Sequence, residues 1–213
     1  MPGHCANASA TRPPAAVTGL ILAGGRGKRL GGINKGLLRI DGQLLVQRVA
    51  QRLAPQVDSL LVSANRNLDD YRALGFSVVN DGPFVDAGPL AGLRAGLQAC
   101  ATPWLLATPC DMPCLPQDLC HRLLLAAASD DLRARVPFDG VRYHYACVLL
   151  PSTALAQVND CLDGGKRRVH DLLQAVGWFG VDFAADQPQY RHAFSNINTS
   201  ADLAALGIST DLP

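Results

Sequence analysis

The chain has 213 residues, 48% of them hydrophobic and 17% charged, with a formal net charge of +1. That composition excludes a disordered chain. Near-neutrality excludes a broad surface for nucleic acid or anionic membrane, which would need clustered, uncompensated Lys and Arg. The length suits one well-buried domain, since single cores stop growing at about 250–300 residues.

The first 15 residues are small, polar and Pro-containing and read as a disordered tail, leaving 16–213 as a single domain. The apolar stretch 17–23 is too short for a signal-peptide core, and no run approaches the roughly 20 residues that span a bilayer. A cytoplasmic protein is expected. Val17–Leu22 (VTGLIL) is a short apolar run ending in glycines, so a buried strand. Val46, Val49, Ala50 and Leu53 recur at helical spacing, with Pro55 beyond them. Residues 58–63 form a second strand, 68–74 a short helix ended by Gly75, and 76–79 a third strand. Leu90, Leu93, Leu97 and Cys100 mark a helix, 104–107 a fourth strand, and Leu115, Leu119, Leu123 and Ala126 another helix.

Residues 134–150 read as two strands joined near Asp139-Gly140, a strong turn pair. Helices follow near 153–162 and 169–176, then a strand at 178–183. A last helix near 200–206 opens on Thr199 with Asp202 three residues on, a capping box with Asp in place of Glu. Strands alternating with helices imply an α/β fold with a mostly parallel sheet covered on both faces. Ligands of such sheets bind beyond the C-terminal strand ends, so those loops matter most.

The seven cysteines are an odd number on irregular spacing, a poor disulfide framework. Cys110, Cys114, Cys120 and His121 match no common zinc spacing and are interrupted by Pro113 and Pro116, so small buried thiols are expected.

The first loop beyond a strand runs Leu22-Ala23-Gly24-Gly25-Arg26-Gly27-Lys28-Arg29-Leu30-Gly31-Gly32-Ile33-Asn34-Lys35-Gly36. Its glycines let backbone N–H groups approach a ligand, and Arg26, Lys28, Arg29 and Lys35 concentrate positive charge. That chemistry suits a polyphosphate. A Walker A spacing is absent, and Leu30 stands where a dinucleotide fingerprint needs its third glycine. An NAD-dependent dehydrogenase is therefore disfavoured.

The pattern L-A-G-G-x-x-x-R-L-G-G-x-N-K-G resembles the signature loop of the molybdenum-cofactor guanylyltransferases, the MobA family. The resemblance runs from about residue 17 to 206. It implies a three-layer nucleotidyltransferase fold with a Rossmann-like half. Leu22, Ala23, Gly24 and Gly25 would contact the nucleotide, and Arg29 and Lys35 its phosphates. Family members usually carry Asp where this chain has Asn34, which removes one negative charge.

Asp111, in Pro109-Cys110-Asp111-Met112-Pro113, matches the family's metal-ligating Asp and would hold Mg²⁺; read alone, it is also a plausible turn aspartate. Asp81 follows the third strand. A carboxylate there accepts from guanine N1–H and the 2-amino group and repels cytosine's acceptor edge. Ser63, in Ser63-Ala64-Asn65-Arg66, stands where members often have Asn and would touch base or ribose. Gly88-Pro89-Leu90-Ala91-Gly92 also matches a family segment and reads as a tight turn into a helix.

Gly164-Gly165-Lys166-Arg167-Arg168-Val169 and Phe194-Ser195-Asn196-Ile197-Asn198-Thr199 resemble family segments as well. By that resemblance Arg167, Arg168, Asn196 and Asn198 would receive molybdopterin; read alone they are a solvated helix start and a turn. Where members read R-x-H-P-x, this chain has Arg142-Tyr143-His144-Tyr145-Ala146, and a free or core histidine is expected at His144.

The implied reaction transfers GMP from GTP to molybdopterin or Mo-molybdopterin, with Mg²⁺ as cofactor. The resemblance leaves open whether molybdoenzyme chaperones or other cofactor-assembly proteins take part. The alternatives are a cytidylyltransferase for the same cofactor, a sugar-phosphate nucleotidyltransferase and, in a different class, a non-catalytic GTP-binding adaptor.

Overall fold

The computed structural model describes residues 15–24, 34–128, 130–184, 187, 190, 192–197, 199 and 202. Seven strands pair into one sheet. Strand β1 is Val17–Leu22, β4 Ser59–Ser63, β5 Ser77–Val79, β6 Trp104–Pro109, β7 Ala134–Phe138, β8 Val148–Pro151 and β9 Trp178–Asp182. A small hairpin supplies β2 (Arg39–Ile40) and β3 (Gln43–Leu44). The large sheet has the order β5-β4-β1-β6-β8-β7-β9. Strands β5, β4, β1 and β6 are parallel, β8 runs antiparallel to both neighbours, and β7 and β9 are again parallel. The expected mostly parallel sheet is thus observed.

Alternation along the strands creates two cores, because successive side chains point to opposite faces. Val17 and Ile21 of β1, Trp104 and Leu106 of β6, and Leu149 of β8 enter one core. Leu20, Leu105, Ala107, Val148 and Leu150 enter the other. The first core is covered by α1 (Leu45–Leu53), α2 (Leu68–Ala73) and α4 (Leu119–Leu125). The second lies under α3 (Pro89–Ala99), α5 (Leu155–Asp163) and α6 (Val169–Val176). The layers are helix, sheet, helix, as the alternating pattern requires.

Most predicted elements lie within a residue or two of their expected bounds. The helix expected from Leu115 begins instead at Leu119. Pro116 biases Leu115 before it away from helical backbone, and Leu115 is buried as a loop residue. At its start, Gln56 acts as a buried clamp. Its Oε1 accepts from the Cys120 backbone N–H at 2.9 Å, and its Nε2 donates to the carbonyls of Pro116 and Arg52, each at 2.8 Å.

The hairpin β2–β3 was not expected from sequence. Asp41 (φ 45°) and Gly42 (φ 72°) both take left-handed backbone, the geometry that tight two-residue hairpins need. Asp139-Gly140 makes the expected turn, with the Asp139 carboxylate accepting from the N–H groups of Val141 and Arg142. Thr199 and Asp202 exchange the reciprocal bonds of the expected cap. The remainder of that helix, and the N-terminal tail up to residue 14, lie outside the described residues.

Gln56→Leu keeps the volume, leaves the Cys120 N–H without its acceptor and removes one donor each from the Pro116 and Arg52 carbonyls. It should lower unfolding free energy by about 2–4 kcal/mol, read by urea denaturation. A loss within error of zero would show that water or local rearrangement satisfies them.

Candidate active site

Chain order places a crevice at the end of β1. After β1 the chain lays β4 and β5 on one side, then crosses to lay β6 on the other. The strand order therefore reverses between β1 and β6, and the gap beyond the C-terminal ends of such strands is where parallel sheets bind ligands. Backbone bonds carry the strand register into these loops. Ala23 N–H donates to Ser63 O at 2.8 Å, Ala64 N–H to Val79 O at 3.0 Å, and Cys110 N–H to Leu22 O at 3.1 Å. Leu22, Ala23, Ser63 and Asp111 are thereby gathered at one sheet edge.

Across this gap the Lys35 ammonium donates to Asp111 Oδ2 at 2.9 Å and to the Ile197 carbonyl at 3.1 Å. Ile197 N–H donates to the Asp111 backbone carbonyl at 2.9 Å. Both charged side chains are mostly buried, 19% and 14% exposed. The Ile197 side chain is buried against Leu38, Ile40 and Leu45, which anchors this late segment beside the hairpin. Three distant stretches of sequence thus meet at one ion pair, and Asn196 is carried to its edge.

Asp111 Oδ1 is buried and has no hydrogen-bond partner among the described residues. A carboxylate with one oxygen on an ammonium and the other unpartnered fits a hard cation, which prefers oxygen donors. No cluster of three or more His, Cys, Asp or Glu that could hold a metal occurs among the described residues. Asp111 is the described residue that would hold such a cation. The adjacent Cys110 thiol is fully buried, and burial followed by the neighbouring Asp111 charge pushes it up to about 12. It stays protonated and unreactive. The six described cysteines are free.

Asp81 lies one strand further along the edge and is only 5% exposed. Asn65 grips it twice: Asn65 Nδ2 donates to Asp81 Oδ2 at 2.6 Å, and Asp81 N–H donates to Asn65 Oδ1 at 3.1 Å. Burial raises the Asp81 carboxyl above its ordinary value, against hydrogen bonds from Asn65 and Ser63 that favour the charged form. Ser63 is itself buried beneath α3. A Cβ on Gly92 would lie 2.8 Å from both Ser63 Oγ and Leu22 Cδ2. Only a glycine lets the helix settle that closely on the strand ends. Gly24 meets the same cluster: a Cβ there would lie 3.3 Å from Asn65 Nδ2.

The expected second-substrate residues divide. Asn196 immediately precedes Ile197, whose backbone bonds both Lys35 and Asp111. Arg167 and Arg168 are exposed on the loop before α6. The Arg167 carbonyl packs against Gly88 at the start of α3, while its guanidinium donates to the carbonyls of Leu162 and Lys166. No described contact joins either arginine to Lys35 or Asp111. Gly25, Arg29 and Asn198 lie outside the described residues.

His144 is a core histidine, as expected. It bonds Asp139 at 2.7 Å and stacks on Phe194 at 4.7 Å. Burial holds its pKa below the ordinary value in spite of Asp139, so it is neutral at pH 7. Sequence reasoning assigned no role to Asn65 or to the Ile197 carbonyl. Asn65 stood inside a matched segment, whereas a backbone carbonyl leaves no side-chain signal.

The chain is similar to known proteins in sequence and in fold. The MobA-like NTP transferase domain matches residues 19–177. A molybdenum cofactor guanylyltransferase of Cupriavidus taiwanensis is 42% identical over 200 residues, covering 89% of this chain and 95% of that protein. One from an Acidovorax species is 43% identical over 201 residues, covering 89% and 94%. The crystal structure of a molybdopterin-guanine dinucleotide biosynthesis protein A from Archaeoglobus fulgidus has a TM-score of 0.72 at 18% identity. That match covers 88% of this chain and 95% of that one, and at such identity it establishes the three-layer α/β fold alone. By the family model that matches residues 19–177 and by relatives more than 40% identical over 89% of its length, this chain belongs to the MobA-like NTP transferase family.

Proposed function

We propose that the protein transfers GMP from GTP to molybdopterin, or Mo-molybdopterin, releasing pyrophosphate. The observation that carries this reading is the Lys35–Asp111 pair at the switch point of the sheet, with a buried, unpartnered carboxylate oxygen beside it. The names of the curated relatives support the choice of substrates.

In this reaction an anionic oxygen of the terminal molybdopterin phosphate attacks the α-phosphorus of GTP. A new P–O bond forms there as the bond to the α,β-bridging oxygen breaks, and the electron pair leaves with pyrophosphate. The nucleophile is already charged, so no general base is required. The protein's work is positioning and neutralising charge that develops on oxygen. Lys35 supplies its ammonium to the phosphates, together with Arg29. Asp111 is the ligand for Mg²⁺, which when bound supplies Lewis-acid polarisation and a template for phosphate oxygens.

Leu22, Ala23, Gly24 and Gly25 contact the nucleotide. Asp81, supported by Ser63 and Asn65, selects guanine. Asn196, Asn198, Arg167 and Arg168 receive molybdopterin. No described helix is long and apolar enough to cross a membrane. GTP, a soluble nucleotide, suits a cytoplasmic site of action, where molybdoenzyme chaperones or other cofactor-assembly proteins would collect the product.

Incubation with molybdopterin, Mg²⁺ and either GTP or CTP tests this directly. Pyrophosphate should appear with GTP and not with CTP, and only when molybdopterin is present. Release with CTP would overturn the role of Asp81, and tight GTP binding without release would favour an adaptor. Lys35→Ala and Asp111→Ala should each lower turnover at least about tenfold, since each removes charge stabilisation from the transition state. Wild-type rates in either variant would remove that residue from the mechanism.

Asp81 carries a second consequence. Its folded pKa lies above the ordinary 3.8, so ionisation costs stability at neutral pH, and the cost fades as pH falls through the raised value toward 3.8. Asp81→Asn should therefore melt higher than wild type at pH 7, converge with it near pH 3.8, and lose preference for GTP. A variant less stable at pH 7 would contradict this assignment of cost.

A further inference from the structure

Lys35 is held from its head by Asp111 and Ile197, but its backbone is placed by a different residue. Tyr71, on α2, is fully buried. Its hydroxyl donates to Asn34 Oδ1 at 2.7 Å. A Cβ added to Gly36 would lie 2.3 Å from the same phenol oxygen. The residues on either side of Lys35 are thus fixed by one ring, one through a hydrogen bond and the other through direct packing. Asn34 also reaches the loop after β4, its Nδ2 donating to Asn67 Oδ1 at 3.4 Å. Asn67 in turn donates to Asp70 Oδ2 at 2.7 Å within the first turn of α2.

We propose that Tyr71 is a positioning residue for Lys35, acting through the Asn34 side chain and through contact with Gly36. The chain from Tyr71 to Asn34 to Lys35 links the first-core face of the sheet to the phosphate end of the crevice. Burial raises the Tyr71 pKa, so the phenol remains a donor throughout the working range. Asn34 offers the acceptor oxygen that this donor needs and places no second negative charge beside the Lys35 ammonium. The glycine at position 36 follows from the same geometry, since any side chain there would displace the ring.

The inference rests on the assignment of Lys35 to the GTP phosphates, and the test separates the two. Tyr71→Phe removes one oxygen and keeps the ring. Asn34→Ala removes the acceptor. Each should lower kcat for pyrophosphate release about tenfold, because small displacements of a charge-stabilising group are costly. The KM for GTP, and its Kd by calorimetry, should stay within about twofold. The double variant should be no slower than the slower single one, as members of one chain of interactions are not additive. Asn34→Asp, which restores an acceptor oxygen, should recover most of the loss of Asn34→Ala.

A merely structural hydroxyl would instead lower the melting temperature and leave kcat intact well below it. Full kcat in Tyr71→Phe, or multiplicative losses in the double variant, would overturn the proposal. Lys35→Met measured alongside identifies which idea has failed. If it turns over at the wild-type rate, the assignment of Lys35 falls and takes this proposal with it. If it is slow while Tyr71→Phe is fast, only the positioning role falls.

Discussion

The Lys35–Asp111 pair is the contact on which the crevice depends. Its partners are 76 positions apart, and a third, later segment closes it through the Ile197 backbone. Two mostly buried charges lose hydration that their mutual attraction repays only when hydrogen bonds satisfy the remaining atoms. Here the ammonium gains the Ile197 carbonyl, while one carboxylate oxygen gains nothing among the described residues. A fold selected for stability alone would have no reason to keep that oxygen bare. A fold that must take up a ligand at that oxygen has one. Apolar packing supplies what the ion pair does not: Leu38, Ile40, Leu45 and Ile197 form a small core beneath the site that holds its third wall in place.

Asp81 follows the same logic further along the strand ends. Its carboxylate is buried against its own preference, and Asn65 and Ser63 offset part of that cost. Gly92 and Gly36 let α3 and Tyr71 approach closely enough to make these arrangements compact. Strain and desolvation are therefore concentrated along one sheet edge, where a ligand's charge and hydrogen bonds can relieve them. His144 and the buried cysteines, which the sequence also brought to notice, lie in environments that keep them neutral. They serve packing.

Much of this was legible in the sequence because local rules and the fold agree. Short apolar runs and helical spacing located β1, β4, β6, α1 and α3, and the strand-end rule pointed to Leu22, Ser63, Asp81 and Asp111. The failures have physical causes. The two-residue strands β2 and β3 are too short to carry a periodic signal, although Asp41-Gly42 is the same turn pair as Asp139-Gly140. Pro116 delayed α4. The pairing of Lys35 with Asp111, the closure by Ile197 and the reach of Tyr71 to Asn34 are tertiary, and no spacing within one segment encodes them.

The central claim is that GTP is cleaved at its α-phosphorus and that the Lys35 charge drives the transfer. Single-turnover reactions of saturating protein with molybdopterin and either α-labelled or γ-labelled GTP test it most directly, run with wild type and with Lys35→Met. The α-label should appear on the pterin product, the γ-label should appear only in pyrophosphate, and Lys35→Met should be slower in chemistry with GTP fully bound. Transfer of the γ-label to the acceptor, or an unchanged single-turnover rate in Lys35→Met, would contradict the account.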